Sequence, residues 1–186
     1  LDDLEYELQA FGESRRITLV LPCLYSELEG PALPNILNEL KTVPYLHRII
    51  VGLDQADERQ FRHAREFFSE LPQTHMVLWN ESPRMLALGE RLKEHGLYPQ
   101  EPGKGKNVWT CMGYLIACAD SSVMAIHDCD ILTYDRSMLA SLVYPVANPT
   151  FPYQMAKGYY PRIGEGKLNG RVTRLLVSPP LIALTK

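Results

Sequence analysis

Hydrophobic positions along the chain alternate between two periods, and each change of period marks an element. Leu1, Leu4, Leu8 and Phe11 recur at helical spacing among acids, which predicts an amphipathic helix ended near Gly12 that packs on the edge of a larger unit. Residues 17–21, Ile-Thr-Leu-Val-Leu, then form a continuous β-rich run stopped by Pro22. Such an unbroken run is the pattern of a strand buried on both faces. Helical spacing returns over 33–40, a second strand-like run stands at 48–52, and a charged helix is expected over 57–71. A third strand at 75–79, a helix over 83–95, a Pro/Gly-rich loop over 96–105, an apolar helix over 108–119 and a fourth strand at 123–126 follow.

Strands alternating with helices imply an α/β, Rossmann-like layer: a mostly parallel sheet with flanking helices and right-handed crossovers. Ligands bind such sheets beyond the carboxyl ends of the strands, which selects the loops after Leu21, Val51 and Ile126. Beyond residue 135 the alternation stops, prolines at 145, 149, 152, 161, 179 and 180 interrupt the chain, and loops with short elements are expected. The last residues, Leu-Ile-Ala-Leu-Thr-Lys, stop inside an apolar helical pattern, as an incomplete C-terminus would. The expected division is an opening helix (1–15), an α/β domain (16–135) and a less regular region (136–186).

The 186 residues suffice for one domain and the start of a second, and 46% hydrophobic with 22% charged residues is the balance of a soluble folded chain. A net charge of −3 argues against nucleic acid or a membrane surface as partner through bulk charge. No apolar run approaches the ~20 residues of a membrane span, and the acidic amino terminus lacks signal-peptide character. Cys23, Cys111, Cys118 and Cys129 show no C-x-x-C spacing, so neither a zinc knuckle nor a disulfide scaffold is suggested and a reducing cytoplasm is the expected setting. Cys111 and Cys118 fall on one face of a helix, where free cysteines are usually buried. Charge is uneven, however: residues 1–15 carry five acids against one base, and residues 154–174 carry five bases (Lys157, Arg162, Lys167, Arg171, Arg174) against Glu165 alone. The basic stretch reads as a solvated face or as a pocket for a small phosphate or carboxylate.

Asp128-Cys129-Asp130 directly after the fourth strand is the most specific local feature. Two carboxylates at i and i+2 on a turn can share a divalent cation, and Mg²⁺ or Mn²⁺ is bound by one or two carboxylates plus substrate phosphates; the plainer reading is a turn or a cap. His127 beside them is either a ligand or a structural hydrogen-bonding residue. Gly103-Lys104-Gly105 opens the helix leading into that strand; glycines admit close backbone approach and Lys104 is a point charge suited to a diphosphate. Its spacing is not that of a P-loop, and an exposed turn is the alternative. Pro22, Cys23, Leu24, Tyr25, Ser26 and Glu27 make either a loop suited to a base and ribose or an ordinary βα connection.

In chain order, Leu21-Pro22 with its acidic loop, Gly103-Lys104-Gly105 and Asp128-x-Asp130 resemble the GT-A nucleotide-sugar glycosyltransferases. Lys157-Gly-Tyr-Tyr160, Arg162, Gly170-Arg-Val-Thr173 and the Pro-x-Leu-Ile-Ala-Leu ending resemble, within that class, the glucosyl-3-phosphoglycerate synthases. The resemblance implies a GT-A fold, with 16–135 binding the nucleotide sugar and 136–186 beginning an acceptor-binding region. It matches Pro22, Cys23 and Leu24, with Tyr25 and Glu27 in the same loop, to the uracil and ribose contacts and Lys104 to the lysine beside the nucleotide. Asp128, Cys129 and Asp130 match the D-x-D, with Asp130 as the direct ligand of Mg²⁺ or Mn²⁺ and Asp128 beside it. Gly170, Arg171, Val172 and Thr173 match the segment that receives phosphoglycerate, with Lys157 nearby in sequence. The implied catalytic set is Asp130, Lys104 and Arg171.

Three departures stand out. Tyr25 and Ser26 intervene before Glu27, Cys129 replaces a serine, and no histidine follows His127, where the resembled family completes its metal site downstream. The implied reaction is metal-dependent transfer of a hexose, glucose first, from a nucleotide diphosphate sugar to 3-phosphoglycerate with retention. A mannosyl or other hexosyl transferase acting on phosphoglycerate or glycerate is the alternative. A nucleotidyltransferase and a non-catalytic nucleotide-sugar-binding module are the rivals outside it. The opening helix and the apolar ending leave a homodimer open.

Overall fold

The computed structural model describes residues 1–158, the backbone of 162–164 and 167–169, and residue 183. They divide into compact units at residues 1–156 and 157–186. In the first, four parallel strands lie in the order β3-β2-β1-β4: β1 Ile17–Leu24, β2 Leu46–Asp54, β3 His75–Trp79 and β4 Val123–Ile126. Helices α1 Asp2–Gly12, α2 Ala32–Lys41, α3 Glu58–Phe68, α4 Pro83–Glu94, α5 Lys104–Cys118 and α6 Arg136–Ala147 connect and flank them. The strands alternate between two apolar layers. Leu19, Leu21, Ile49, Val51 and Leu53 join Leu33, Ile36, Phe68 and Leu139 from α2, α3 and α6. Val20 and Ile50 face Cys111 of α5 on the opposite side, with Leu78, Tyr114 and Met124 packed around them. In the second unit, β5 Arg162–Gly164 and β6 Lys167–Asn169 pair as an antiparallel hairpin.

Three expectations change. β1 does not stop at Pro22 but runs to Leu24, with Pro22 opposite Gly52 of β2. β4 pairs with β1 only as far as Val20, whose carbonyl accepts the His127 N–H at 3.1 Å. Pro22, two residues on, turns its nitrogen to the same side, where the ladder has ended, so its missing N–H costs no hydrogen bond. The expected loop over 96–105 ends early, because α5 begins at Lys104 behind Gly103 at φ +119°, a conformation that glycine alone adopts readily. After residue 135 comes a full helix, α6, where loops were expected. Asp135 caps it by accepting the Ser137 N–H at 2.7 Å, Leu139, Ala140 and Val143 bury one stripe, and Pro145 forgoes its bond to the Ser141 carbonyl in the last turn, where little helix remains beyond it to be kinked.

α1 packs on α6. Leu8 is fully buried, Phe11 meets the Tyr144 ring at 6.0 Å, and Tyr144 Oη donates to Glu7 Oε2 at 2.5 Å. Leu8 of the opening stripe is thus covered within the chain while Leu1 stays exposed, and the apolar ending that also left a dimer open lies, residue 183 apart, outside the described residues. Among the described residues, no helix is long and apolar enough to cross a membrane. All four cysteines are free; Cys111 is buried as expected, whereas Cys118 on the same helix is only half-buried.

Candidate active site

The sheet order contains a reversal: β1, β2 and β3 step one way, and β4 returns to the other side of β1. Loops after β1 and β4 therefore diverge and leave a crevice at their carboxyl ends, the place where open α/β sheets bind ligands. A cleft of about 250 Å³ lies there. Of the residues singled out in the sequence, Pro22, Cys23, Leu24, Glu27, Lys104, Asp128, Cys129 and Asp130 all border it. Segments more than a hundred residues apart are brought together by the β1–β4 register.

Each wall has a local cause. After β1 the chain winds into a short 3₁₀ turn, Tyr25–Glu29, pinned where the Leu24 N–H donates to Glu27 Oε2 at 2.7 Å. Burial pushes the Glu27 carboxyl above its ordinary range, and the Leu24 N–H opposes this. Tyr25, expected in the same loop, is not a wall of the cleft: its hydroxyl lies 3.0 Å from His63 Nδ1, and its ring meets that imidazole edge-on. On the opposite wall, the amino terminus of the 15-residue α5 presents its unpaired N–H groups and positive dipole end. Lys104 at its first turn forms an ion pair with Asp128. Asp130, beside the pair and exposed, has no hydrogen-bond or ion-pair partner among the described residues.

His127 faces away from the cleft. It is buried, its Nδ1 lies 3.1 Å from Tyr134 Oη, and burial pulls its pKa down to about 4. A neutral, tyrosine-bound imidazole is the structural reading of this residue, not the ligand reading. Cys129, between the two aspartates, is also buried; a hydrogen bond with Cys23 and desolvation push its thiol well up.

Three further residues line the cleft: Asp54 and Gln55, which follow Val51 in the segment selected from the sequence but not named there, and Asn107, which the sequence reading passed over. Asp54 ends β2 and accepts Asn80 Nδ2 at 2.5 Å, while Gln55 adopts φ 57° and donates its N–H to Glu81 Oε1 at 3.0 Å. Asn107 is 2% exposed and donates Nδ2 to the Gly52 carbonyl at 2.7 Å, fastening the first turns of α5 to the end of β2. An asparagine in an otherwise apolar helix just after Gly-Lys-Gly-Lys was the available signal. Gly170, Arg171, Val172 and Thr173 lie outside the described residues, and Lys157 opens the second unit.

A parallel sheet with this switch point, an aspartate pair after β4 and a Gly-Lys-Gly helix start define the class: the chain has the GT-A glycosyltransferase fold. Its backbone superposes on glucosyl-3-phosphoglycerate synthase from Mycobacterium tuberculosis in complex with Mn²⁺, uridine diphosphate and glucosyl-3-phosphoglycerate. That match has a TM-score of 0.55 at 20% identity, covering 97% of this chain and 54% of that one. The complex of the same enzyme with Mn²⁺, uridine diphosphate and phosphoglyceric acid gives 0.52 at 20% identity, with 97% and 53% covered.

The sequence is similar throughout to glucosyl-3-phosphoglycerate synthases. It is 44% identical to the one from Persephonella marina, over 100% of this chain and 46% of that protein. It is 34% identical to the one from Methanococcoides burtonii, over 98% and 46%. These matches bear out the resemblance carried by the motifs, and the chain spans about half the length of the curated relatives it matches. No family model matches the chain.

Proposed function

We propose that this chain supplies the donor-binding part of a retaining hexosyltransferase, moving glucose from a nucleoside diphosphate sugar to the hydroxyl of 3-phosphoglycerate. Residues 16–135 hold the donor in this reading, and the region from 136 onward begins the acceptor site. One observation carries it: the residues that the D-x-D, Gly-Lys-Gly and β1-loop motifs singled out converge on one cleft, in a chain similar along its length to glucosyl-3-phosphoglycerate synthases.

The chemistry of that cleft suits a nucleoside diphosphate. Pro22, Cys23 and Leu24 offer backbone and an apolar wall to the base and ribose, and the α5 amino terminus with Lys104 offers positive potential to the diphosphate. Asp130 and Asp128 present the hard oxygen donors that Mg²⁺ or Mn²⁺ takes. A bound cation would neutralise charge on the leaving diphosphate. Lys104, held at the cleft by Asp128, is placed to share that task.

Retention without a covalent intermediate is supported by what the carboxylates already do. Glu27 is engaged by Leu24, Asp54 by Asn80 and Asp128 by Lys104. Among the described carboxylates of the cleft only Asp130 lacks such a partner, and it is the residue that would hold the metal. We therefore assign same-face attack by the acceptor hydroxyl within an ion pair, its proton passing to the departing phosphate. Gly170, Arg171, Val172, Thr173 and Lys157 keep their proposed role toward the phosphate and carboxylate of the acceptor.

Calorimetric titration of UDP-glucose into the purified protein, with and without Mg²⁺ and on Asp130→Ala, tests the donor site; product analysis with 3-phosphoglycerate tests the transfer. Metal-dependent binding lost in Asp130→Ala, with glucosyl-3-phosphoglycerate formed, is expected. No binding of UDP- or GDP-sugars would refute the assignment. Binding with transfer to glycerate, or of mannose, would move it to the neighbouring hexosyltransferases.

A further inference from the structure

Beside the aspartate pair the cleft holds a cluster of side-chain donors that the diphosphate and Mg²⁺ contacts assigned above do not use, although Cys23 and Glu27 lie in the loop assigned to the base and ribose. Cys23 at the end of β1, Glu27 in the following turn and Cys129 between the two aspartates each point one ligand atom inward. The three atoms lie within 4.8 Å of one another. Both cysteines are only 1% exposed, yet all three residues border the cleft, so a small ion has a way in. Two thiols and a carboxylate are a different donor set from that of Asp128 and Asp130. Sulfur selects borderline and soft cations over Mg²⁺, and tetrahedral zinc sites combine cysteine with carboxylate oxygen.

From this geometry we propose that Cys23, Glu27 and Cys129 form a second metal site, binding one thiophilic divalent cation of the Zn²⁺ class. Zinc–sulfur bonds of about 2.3 Å at a tetrahedral angle separate two sulfurs by about 3.8 Å. Drawing the three atoms together from 4.8 Å or less is within the reach of side-chain rotation. The fourth position opens onto the cleft, where water completes the shell. Binding replaces the two thiol protons, which pass to solvent, and forms two thiolate–metal bonds and one carboxylate–metal bond, with no change of oxidation state. The bound ion straps the end of β1 to the loop carrying Asp128 and Asp130. It thereby holds the cleft's two walls in one arrangement, without itself touching the donor's leaving group.

Cobalt(II), a spectroscopic stand-in for zinc, is titrated into the reduced protein without nucleotide, and bound metal is counted by native mass spectrometry. One equivalent should give thiolate-to-cobalt charge-transfer absorption in the near ultraviolet, displaced by one equivalent of Zn²⁺ and untouched by excess Mg²⁺. Cys23→Ser and Cys129→Ser should each weaken that absorption and the uptake, Glu27→Gln should weaken uptake while keeping the sulfur absorption, and Cys111→Ser should change neither. Zn²⁺ should also raise the melting temperature of the unaltered protein and not that of the Cys23→Ser, Cys129→Ser double variant. No charge-transfer band in the unaltered protein, or a band that survives in the double variant, overturns the proposal whatever happens to donor binding. So does the finding that Mg²⁺ competes for the same site.

Discussion

Replacing Gly52 by alanine tests how the cleft is held. A Cβ there would stand 1.8 Å from Asn107 Oδ1, 2.9 Å from Asn107 Cγ and 2.6 Å from Cys111 Sγ, all distances that force movement. Asn107 can yield only by giving up its 2.7 Å bond to the Gly52 carbonyl, in a site where it is 2% exposed. A buried amide left without a partner costs about 1–3 kcal/mol, and overpacking adds about 1–3 kcal/mol. The lost freedom of the unfolded glycine returns about 0.4–1 kcal/mol. The net destabilisation is about 1–6 kcal/mol, a sizeable part of the ~5–15 kcal/mol that holds a domain of this kind together. Urea denaturation followed by circular dichroism reads it as a lower midpoint at an unchanged slope. Asn107→Ala removes two of the three clashes, so Gly52→Ala should cost at least 1 kcal/mol less in that background. A loss below about 0.5 kcal/mol for Gly52→Ala, or strictly additive costs in the double variant, would refute the clamp.

Further outcomes follow from the same cleft. Gly103→Ala forces an L-residue to φ +119° with open space around it, so the cost is backbone strain alone, about 1–3 kcal/mol in the same urea assay. Lys104→Met removes a charge-assisted partner of the diphosphate worth about 1.5–3 kcal/mol, and calorimetry should show UDP-glucose binding weakened by about 10–100-fold, with Lys104→Arg recovering part of it. Burial raises the Cys111 thiol to about 12 from its ordinary 9, so the unfolded chain releases that proton first as pH rises. Stability should be full below pH 9 and fall through the range 9 to 12 by about 1.4 kcal/mol per pH unit at the steepest. Cys111→Ala should flatten that slope in denaturation curves at pH 8 and 10.

Much of the fold was legible because its signals are local. The β3 boundaries, the β4 boundaries and the opening helix follow from hydrophobic period alone. Pro22 misled because a proline's effect on a strand depends on what lies beside it, and the early end of β4 is not written in the residues around 22. α6 was obscured by the proline count after 135, although Asp135 and the apolar spacing of 139, 140 and 143 were there to be read. Conversely, His127 next to the aspartates carries no sequence mark of its direction. Tyr134, which captures it, lies beyond a turn.

What the amino-acid order determined by itself is the alternation of strands and helices, the strand after which the aspartate pair falls, and the glycine that lets α5 begin with a lysine. These depend on periodicity and on conformational preference over a few residues. Tertiary structure decided which of those residues meet. Lys104 reaches Asp128 across 24 positions, Asn107 fastens Gly52 across 55, and Cys23 faces Cys129 across the switch between β1 and β4. Each pairing depends on the register of parallel strands joined by long crossovers, and register is settled by burying all the apolar faces together rather than by any one segment.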